Sequence, residues 1–169
     1  MYQSQNHDFT LLHGDTFELL PQFSFKCAKV PHFYNYDLMK RLNEGKQMTD
    51  VWRLPAIGQW EKTCGKHPTQ KPLALLSRII LASTQPHAWV LDPFAGSSTT
   101  GIAANLLQRR YLGIEQMAEF VELGLRRRME LEDEGVKRLY RSKIKDLKDL
   151  AVGVLLGDGG EPAYGDLPF

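Results

Sequence analysis

Two hydrophobic periods alternate along the chain. Short apolar runs at Phe9 to His13, Trp89 to Asp92 and Arg110 to Glu115, each bounded by turn formers or charge, read as strands. Between and after them apolar residues recur at helical spacing. Leu73, Leu76, Ile79 and Ile80 predict a helix over Leu73 to Ser83, and Ile102, Ala103, Leu106 and Leu107 predict another over Thr99 to Gln108. From Met117 to about Leu150 the pattern stays helical, with a break near Gly135. Gly14 and Asp15 lead into a brief helical stretch, Thr16 to Leu20, closed by Pro21. Asn35 to Lys46 suits a short helix with Tyr36, Met39 and Leu42 on one side, and Thr49 to Pro55 alternates as a strand would. Met1 to Asp8 is polar and expected to fray, and the Gly- and Pro-rich residues beyond Ala151 read as a loose tail. Strands separated by helices make this an α/β chain.

Composition narrows the class. The 169 residues, 43% hydrophobic and without a long apolar run, suit a single domain, and with no leader-like segment a cytoplasmic setting is expected. A net charge of +1 does not mark a nucleic-acid binder by itself. Arg126-Arg127-Arg128 could touch phosphates, but Glu130, Glu132, Asp133 and Glu134 follow so closely that a solvated helix face is the favoured reading. Cys27 and Cys64 stand apart without metal-ligand neighbours, as two reduced thiols would.

The chemistry concentrates at Asp92-Pro93-Phe94-Ala95-Gly96-Ser97-Ser98-Thr99, between a strand and a helix. Asp92 would sit at the carboxyl end of a buried strand, facing the crevice where open α/β sheets collect ligands. Gly96 lets backbone approach a ligand closely, and Ser97, Ser98 or Thr99 can cap the next helix, whose free N–H groups attract anions. Gly96 and Gly101 have the spacing of a phosphate-binding P-loop, but Ile102 and Ala103 replace its Lys and Ser/Thr, and no G-x-G-x-x-G is present. Glu115 follows Gly96 by about 20 residues, the offset at which an acid grips ribose hydroxyls in doubly wound folds. A purely structural strand–helix–strand unit is the alternative.

Asp92 to Thr100, preceded by His67-Pro68-Thr69-Gln70-Lys71-Pro72 and followed by Tyr111-Leu112-Gly113-Ile114-Glu115, resembles the S-adenosylmethionine-binding half of the amino-group DNA methyltransferases of type II restriction-modification systems. The likeness is to the permuted class, in which the catalytic motif precedes the cofactor loop. It covers Phe9 to Leu20 and about Asn35 to Arg128, with Ser98 where that family has Gly. The resemblance implies a partial Rossmann-like methyltransferase fold, mostly parallel, with helices on both faces. It divides the chain into a truncated methyltransferase domain over residues 1–150 and a flexible tail over 151–169. It implies S-adenosylmethionine as cofactor, double-stranded DNA as partner, and cofactor contacts at Asp15, His67, Thr69, Gln70, Lys71, Asp92, Pro93, Phe94, Ala95, Gly96, Ser97, Ser98, Glu115 and Gln116. Asp15 would lie beside the adenine. Read from its own neighbours, Asp15 is a helix cap.

The departure from the family is as informative. Its catalytic Pro-Pro tetrapeptide should follow the first helix, yet Phe23-Ser24-Phe25-Lys26-Cys27 passes directly into Ala28 to Asp37, and no Pro-Pro pair occurs anywhere. Methylating an exocyclic amine requires a flipped base whose NH₂ is held by a carboxylate or amide and a carbonyl. Asp166-Leu167-Pro168-Phe169 lacks the second proline and follows no strand. The expected activity is therefore adenine-N6, less favourably cytosine-N4, DNA methylation by descent, impaired in this form. A non-catalytic S-adenosylmethionine- or DNA-binding remnant is the alternative. Without the catalytic strand, the edge beside Val90 should stand open and favour self-association or a complementing chain.

Overall fold

The computed structural model describes residues 2–4, 8–23, 33–148 and 150. Among these residues one sheet contains β1 (Tyr2–Gln3), β2 (Phe9–His13), β3 (Trp89–Asp92) and β4 (Arg110–Glu115) in the order β1-β2-β4-β3. The last three run parallel, as the three apolar runs predict, with His13 opposite Glu115 and Asp92 opposite Gly113. β4 lies between two strands, and Tyr111 to Ile114 are all buried, as a parallel strand covered on both faces requires. The described Tyr2 and Gln3, expected to fray, form a strand instead. Tyr2 and Gln3 pair antiparallel with Leu11 and Thr10, and the Phe9 N–H donates to Ser4 Oγ at 3.1 Å.

Helices lie on both faces, unequally. Phe9, Leu11 and Tyr111 project into the larger core against α3 (Leu73–Ser83) and α4 (Thr99–Leu106), with α2 (Tyr36–Leu42), α5 (Ala118–Glu130), α6 (Glu134–Lys143) and α7 (Lys145–Lys148) around them. Leu12, Leu112 and Ile114 face the other way, where Leu19 of α1 (Thr16–Leu19), Leu20, Phe23 and Trp89 cover them. Gly101 lets α4 approach the sheet, since a Cβ there would lie 2.6 Å from Tyr111 Cε1 and 2.7 Å from Phe9 Cε2. The second glycine of the P-loop-like spacing therefore serves packing.

Several expectations change. β3 is not a buried strand: it has one strand neighbour among the described residues, and Leu91 is 39% exposed. Residues 49–55 form no strand, because no sheet edge receives them; Trp52 donates its indole N–H to the Thr49 carbonyl and Val51 is exposed. In α2 the buried residues are Leu38 and Met39, while Tyr36 is exposed. α3 keeps its predicted span but turns Ile79 outward and buries Ser77, Leu81 and Ala82 with Leu73 and Ile80. The long C-terminal helical region breaks at residues 131–133, where Asp133 caps α6 by accepting from Gly135 N and Val136 N. Ser24 to Cys27, the tail over 151–169 and Asp166 to Phe169 lie outside the described residues.

Candidate functional site

The carboxyl ends of β2, β4 and β3 meet at one edge of the sheet, bringing Asp15, Glu115 and the Asp92–Ser98 loop together. Hydrogen bonds fix that edge. The Asp92 carboxylate accepts from Phe94 N at 3.1 Å, Ala95 N donates to the Ile114 carbonyl at 2.9 Å, and Gly14 N donates to the Glu115 carbonyl at 2.9 Å. Thr16 Oγ1 donates to the Pro93 carbonyl, tying α1 to the loop. Asp15 is indeed a helix cap, accepting from Phe17 N at 2.7 Å through one oxygen. Its other oxygen has no hydrogen bond among the described residues, so capping and ligand recognition are compatible.

The loop turns at two left-handed sites, Gly96 (φ 52°) and, two residues on, Ser98 (φ 54°). Gly96 N donates to Glu115 Oε2 at 2.7 Å, while Glu115 Oε1 accepts from Met117 N at 2.8 Å. Ser98 stands at the cap position of α4 but its hydroxyl makes no cap bond, so capping by a side chain is not how this helix starts. The amides of Ser97, Thr99 and Thr100 keep their N–H groups without partners among the described residues, and α4 opens with its positive end toward the loop.

His67-Pro68-Thr69-Gln70-Lys71 packs beside this loop. His67 Nδ1 accepts from Thr69 N at 3.2 Å, which leaves the proton on Nε2, and a Cβ on Gly96 would come 3.3 Å from that atom. Phe120 meets the His67 ring edge-on with centroids 4.1 Å apart. Gln70 is buried and donates to the Glu61 carbonyl at 3.2 Å, so its amide braces the turn. Glu61, itself 4% exposed, accepts the Leu73 N–H at 2.8 Å through Oε2 and the Gly58 N–H at 3.2 Å through Oε1. A carboxylate twelve residues upstream thus caps α3; nothing in the local sequence around Leu73 signals it.

Beneath the loop lies Arg127, and here the solvated-face reading of the arginine run is overturned. Arg127 and Arg128 are buried, 1% and 7% exposed, because α5 turns that side toward β2 and the loop; Arg126 stays outside. Arg128 pairs with Asp8 at 3.3 Å and lies over the Phe9 ring. Arg127 Nη1 donates to Ser97 O at 2.6 Å, Ser97 Oγ at 3.0 Å and Thr99 Oγ1 at 2.8 Å. Burial pulls its pKa down, and the negative charges of Glu61 and Glu130 partly offset this. Burial likewise drives the Tyr111 hydroxyl well above the ordinary phenol range, helped by the charge of Asp92.

The nominated residues gather around two adjoining cavities. Asp15, Pro93, Phe94, Glu115 and Gln116, with Thr16, Phe17 and Ile114, line the first. His67, Thr69, Gln70, Lys71, Asp92, Phe94, Ala95, Gly96 and Ser97, with Leu76, Thr99 and Thr100, line the second. Phe94, 69% exposed, borders both. Ser98 alone among the nominated residues lines neither; it is fully buried under the loop. Carboxylates and exposed aromatic rings dominate one cavity, and unpaired N–H groups, Lys71 and hydroxyls the other. Among the described residues no group of acids, histidines or cysteines is arranged to hold a metal, and no helix is long and apolar enough to cross a membrane.

A family model described as DNA methylase matches residues 4–126. The chain belongs to the DNA methylase family. Type II methyltransferase M2.MboI of Moraxella bovis is 61% identical over 120 residues, covering 71% of this chain and 44% of that protein. For type II methyltransferase M2.DpnII of Streptococcus pneumoniae the identity is 55% over 106 residues, covering 63% and 39%. The crystal structure of the M1.HpyAVI–SAM complex shares 37% identity over 59% of this chain and 45% of that one, with a TM-score of 0.46. This methylase chain thus spans less than half the length of the curated relatives it matches.

Proposed function

We propose that this methylase chain is the S-adenosylmethionine-binding half of a DNA adenine-N6 methyltransferase, with cytosine-N4 the less favoured target. The observation that carries the reading is the pair of cavities sharing Phe94, one rich in acceptors for an adenosine and the other rich in donors for an amino acid. In this assignment Asp15 accepts from the adenine amine, Glu115 from the ribose hydroxyls, and Phe94 with Gln116 borders the nucleoside. Asp92, the Gly96–Ser97 backbone, His67, Thr69 and Lys71 surround the methionine end. Gln70 braces the wall of the second cavity, and Ser98 acts from behind it. The fit is supported by the free amides of Ser97, Thr99 and Thr100 and by Gly96, where any side chain would press on His67.

When bound, S-adenosylmethionine supplies an electrophilic methyl group on a sulfonium. The chain's own part is to hold the sulfonium's two arms in separate cavities. The groups that must grip a flipped base are the Pro-Pro motif residues that this sequence lacks. The exposed Leu91 edge of β3 is where a strand from a complementing chain or a second copy would add.

The test is methyl transfer to duplex DNA by the purified chain, with Asp92→Ala as control. Cofactor retention without transfer supports a half-site by descent. Transfer abolished by Asp92→Ala would show that a base-gripping group exists elsewhere in these residues. A sample that retains no cofactor would favour a remnant without a working pocket.

A further inference from the structure

Arg127 is the bulkiest side chain among those that the fold buries fully. A buried guanidinium is normally matched by a carboxylate, because charge is costly to remove from water. None of the hydrogen bonds of Arg127 goes to one. Nη1 makes all three, to Ser97 O, Ser97 Oγ and Thr99 Oγ1, while Nη2 and Nε find no partner among the described residues. A spacer between α5 and the loop needs no charge at all. Ser97 and Thr99 are themselves wall residues of the second cavity. Their oxygens point back to the guanidinium, and the amide N–H groups of Ser97, Thr99 and Thr100 are left without protein acceptors. The cavity therefore has a cation behind its wall and donors in it, with Lys71 exposed at its border.

We propose that Arg127 is a positioning residue that sets the second cavity for a carboxylate-bearing ligand end, acting through Ser97 and Thr99 without touching the ligand. The inference rests on the cofactor reading above and deepens it: it names the residue that makes the methionine end, and not the adenosine end, depend on α5. Its polarity comes from a full charge held in place by three hydrogen bonds and poorly screened because water is excluded.

Two probes that share the adenosine and differ at the other end separate this role from mere bracing. S-adenosylhomocysteine carries the amino-acid carboxylate, and methylthioadenosine does not. Titration calorimetry of the whole chain and of Arg127→Lys and Arg127→Met should show S-adenosylhomocysteine weakened by about tenfold in the lysine variant and more in the methionine variant, the size expected for charge-assisted hydrogen bonds. Methylthioadenosine should bind each variant as it binds the parent chain. Equal losses for both probes would reduce Arg127 to a structural brace and overturn the proposal, as would no change for either. If the methionine variant does not melt cooperatively, the lysine variant decides alone, because an unfolded fraction lowers the apparent stoichiometry and not the ratio of the two affinities. A folded parent chain that binds neither probe overturns the cofactor reading itself, and this assignment with it. A parent chain that binds both equally leaves the cofactor site standing and overturns only the carboxylate assignment.

Discussion

Glu115 holds the Gly96 backbone by accepting its N–H at 2.7 Å, which joins the end of β4 to the turn after β3 across nineteen residues of sequence. One carboxylate thus shapes the loop and lines the first cavity. Glu115→Ala should leave the Gly96 and Met117 amides without acceptors and cost about 1–3 kcal/mol, read as a lowered denaturant midpoint. Gly96→Ala should lose about 1 kcal/mol or more, because a left-handed backbone and the His67 ring both oppose a Cβ.

Ser98 occupies the second left-handed site, where a glycine is the unstrained choice. Ser98→Gly should therefore raise stability by about 0.5–1 kcal/mol, the relief of strain exceeding the extra freedom given to the unfolded chain. A melting temperature equal to or below that of the parent would mean that the buried Ser98 hydroxyl contributes more than the strain costs.

The parallel strands and α3 were legible because each is a continuous run of one period, and the turn from Asp92 to Ser98 because its small and helix-capping residue types mark a strand-to-helix junction. The adjoining motif at His67 was legible by order and spacing. Arg127 and Glu61 were not, for the same physical reason. A charge run next to acids looks solvated until tertiary packing brings a loop over it, and a cap delivered from twelve residues away leaves no local trace. The strand expected at residues 49–55 failed because alternation specifies a face but not a partner edge.

Glu61→Gln tests that distant cap. The amide keeps one acceptor for Leu73 N–H but replaces a carboxylate at the positive end of α3, so the variant should lose about 1–2 kcal/mol. Glu61→Ala, which removes both acceptors, should lose more. Equal stability of all three proteins would show that water replaces the cap without penalty.

Cys64 gives a pH signature. Burial, followed by the neighbouring Glu130 carboxylate, pushes its thiol from 9.0 up to about 11. Between those values the unfolded chain has released the proton and the folded chain has kept it, so stability is full below pH 9 and falls as pH rises toward 11. Thermal melts across that window should show the decline, and Cys64→Ala should flatten it. Alkylation of Cys64 at pH 8 should be slow relative to a free thiol.

If the two cavities form one cofactor site, residues of both must contribute to holding S-adenosylmethionine. The deciding measurement is calorimetric titration of the folded chain with S-adenosylmethionine, with Asp92→Ala and Glu115→Ala as controls, one from each cavity. Saturable one-to-one binding is expected, weakened about tenfold or more in each variant. Binding unaffected by either substitution, or none by a chain that melts cooperatively, would contradict it.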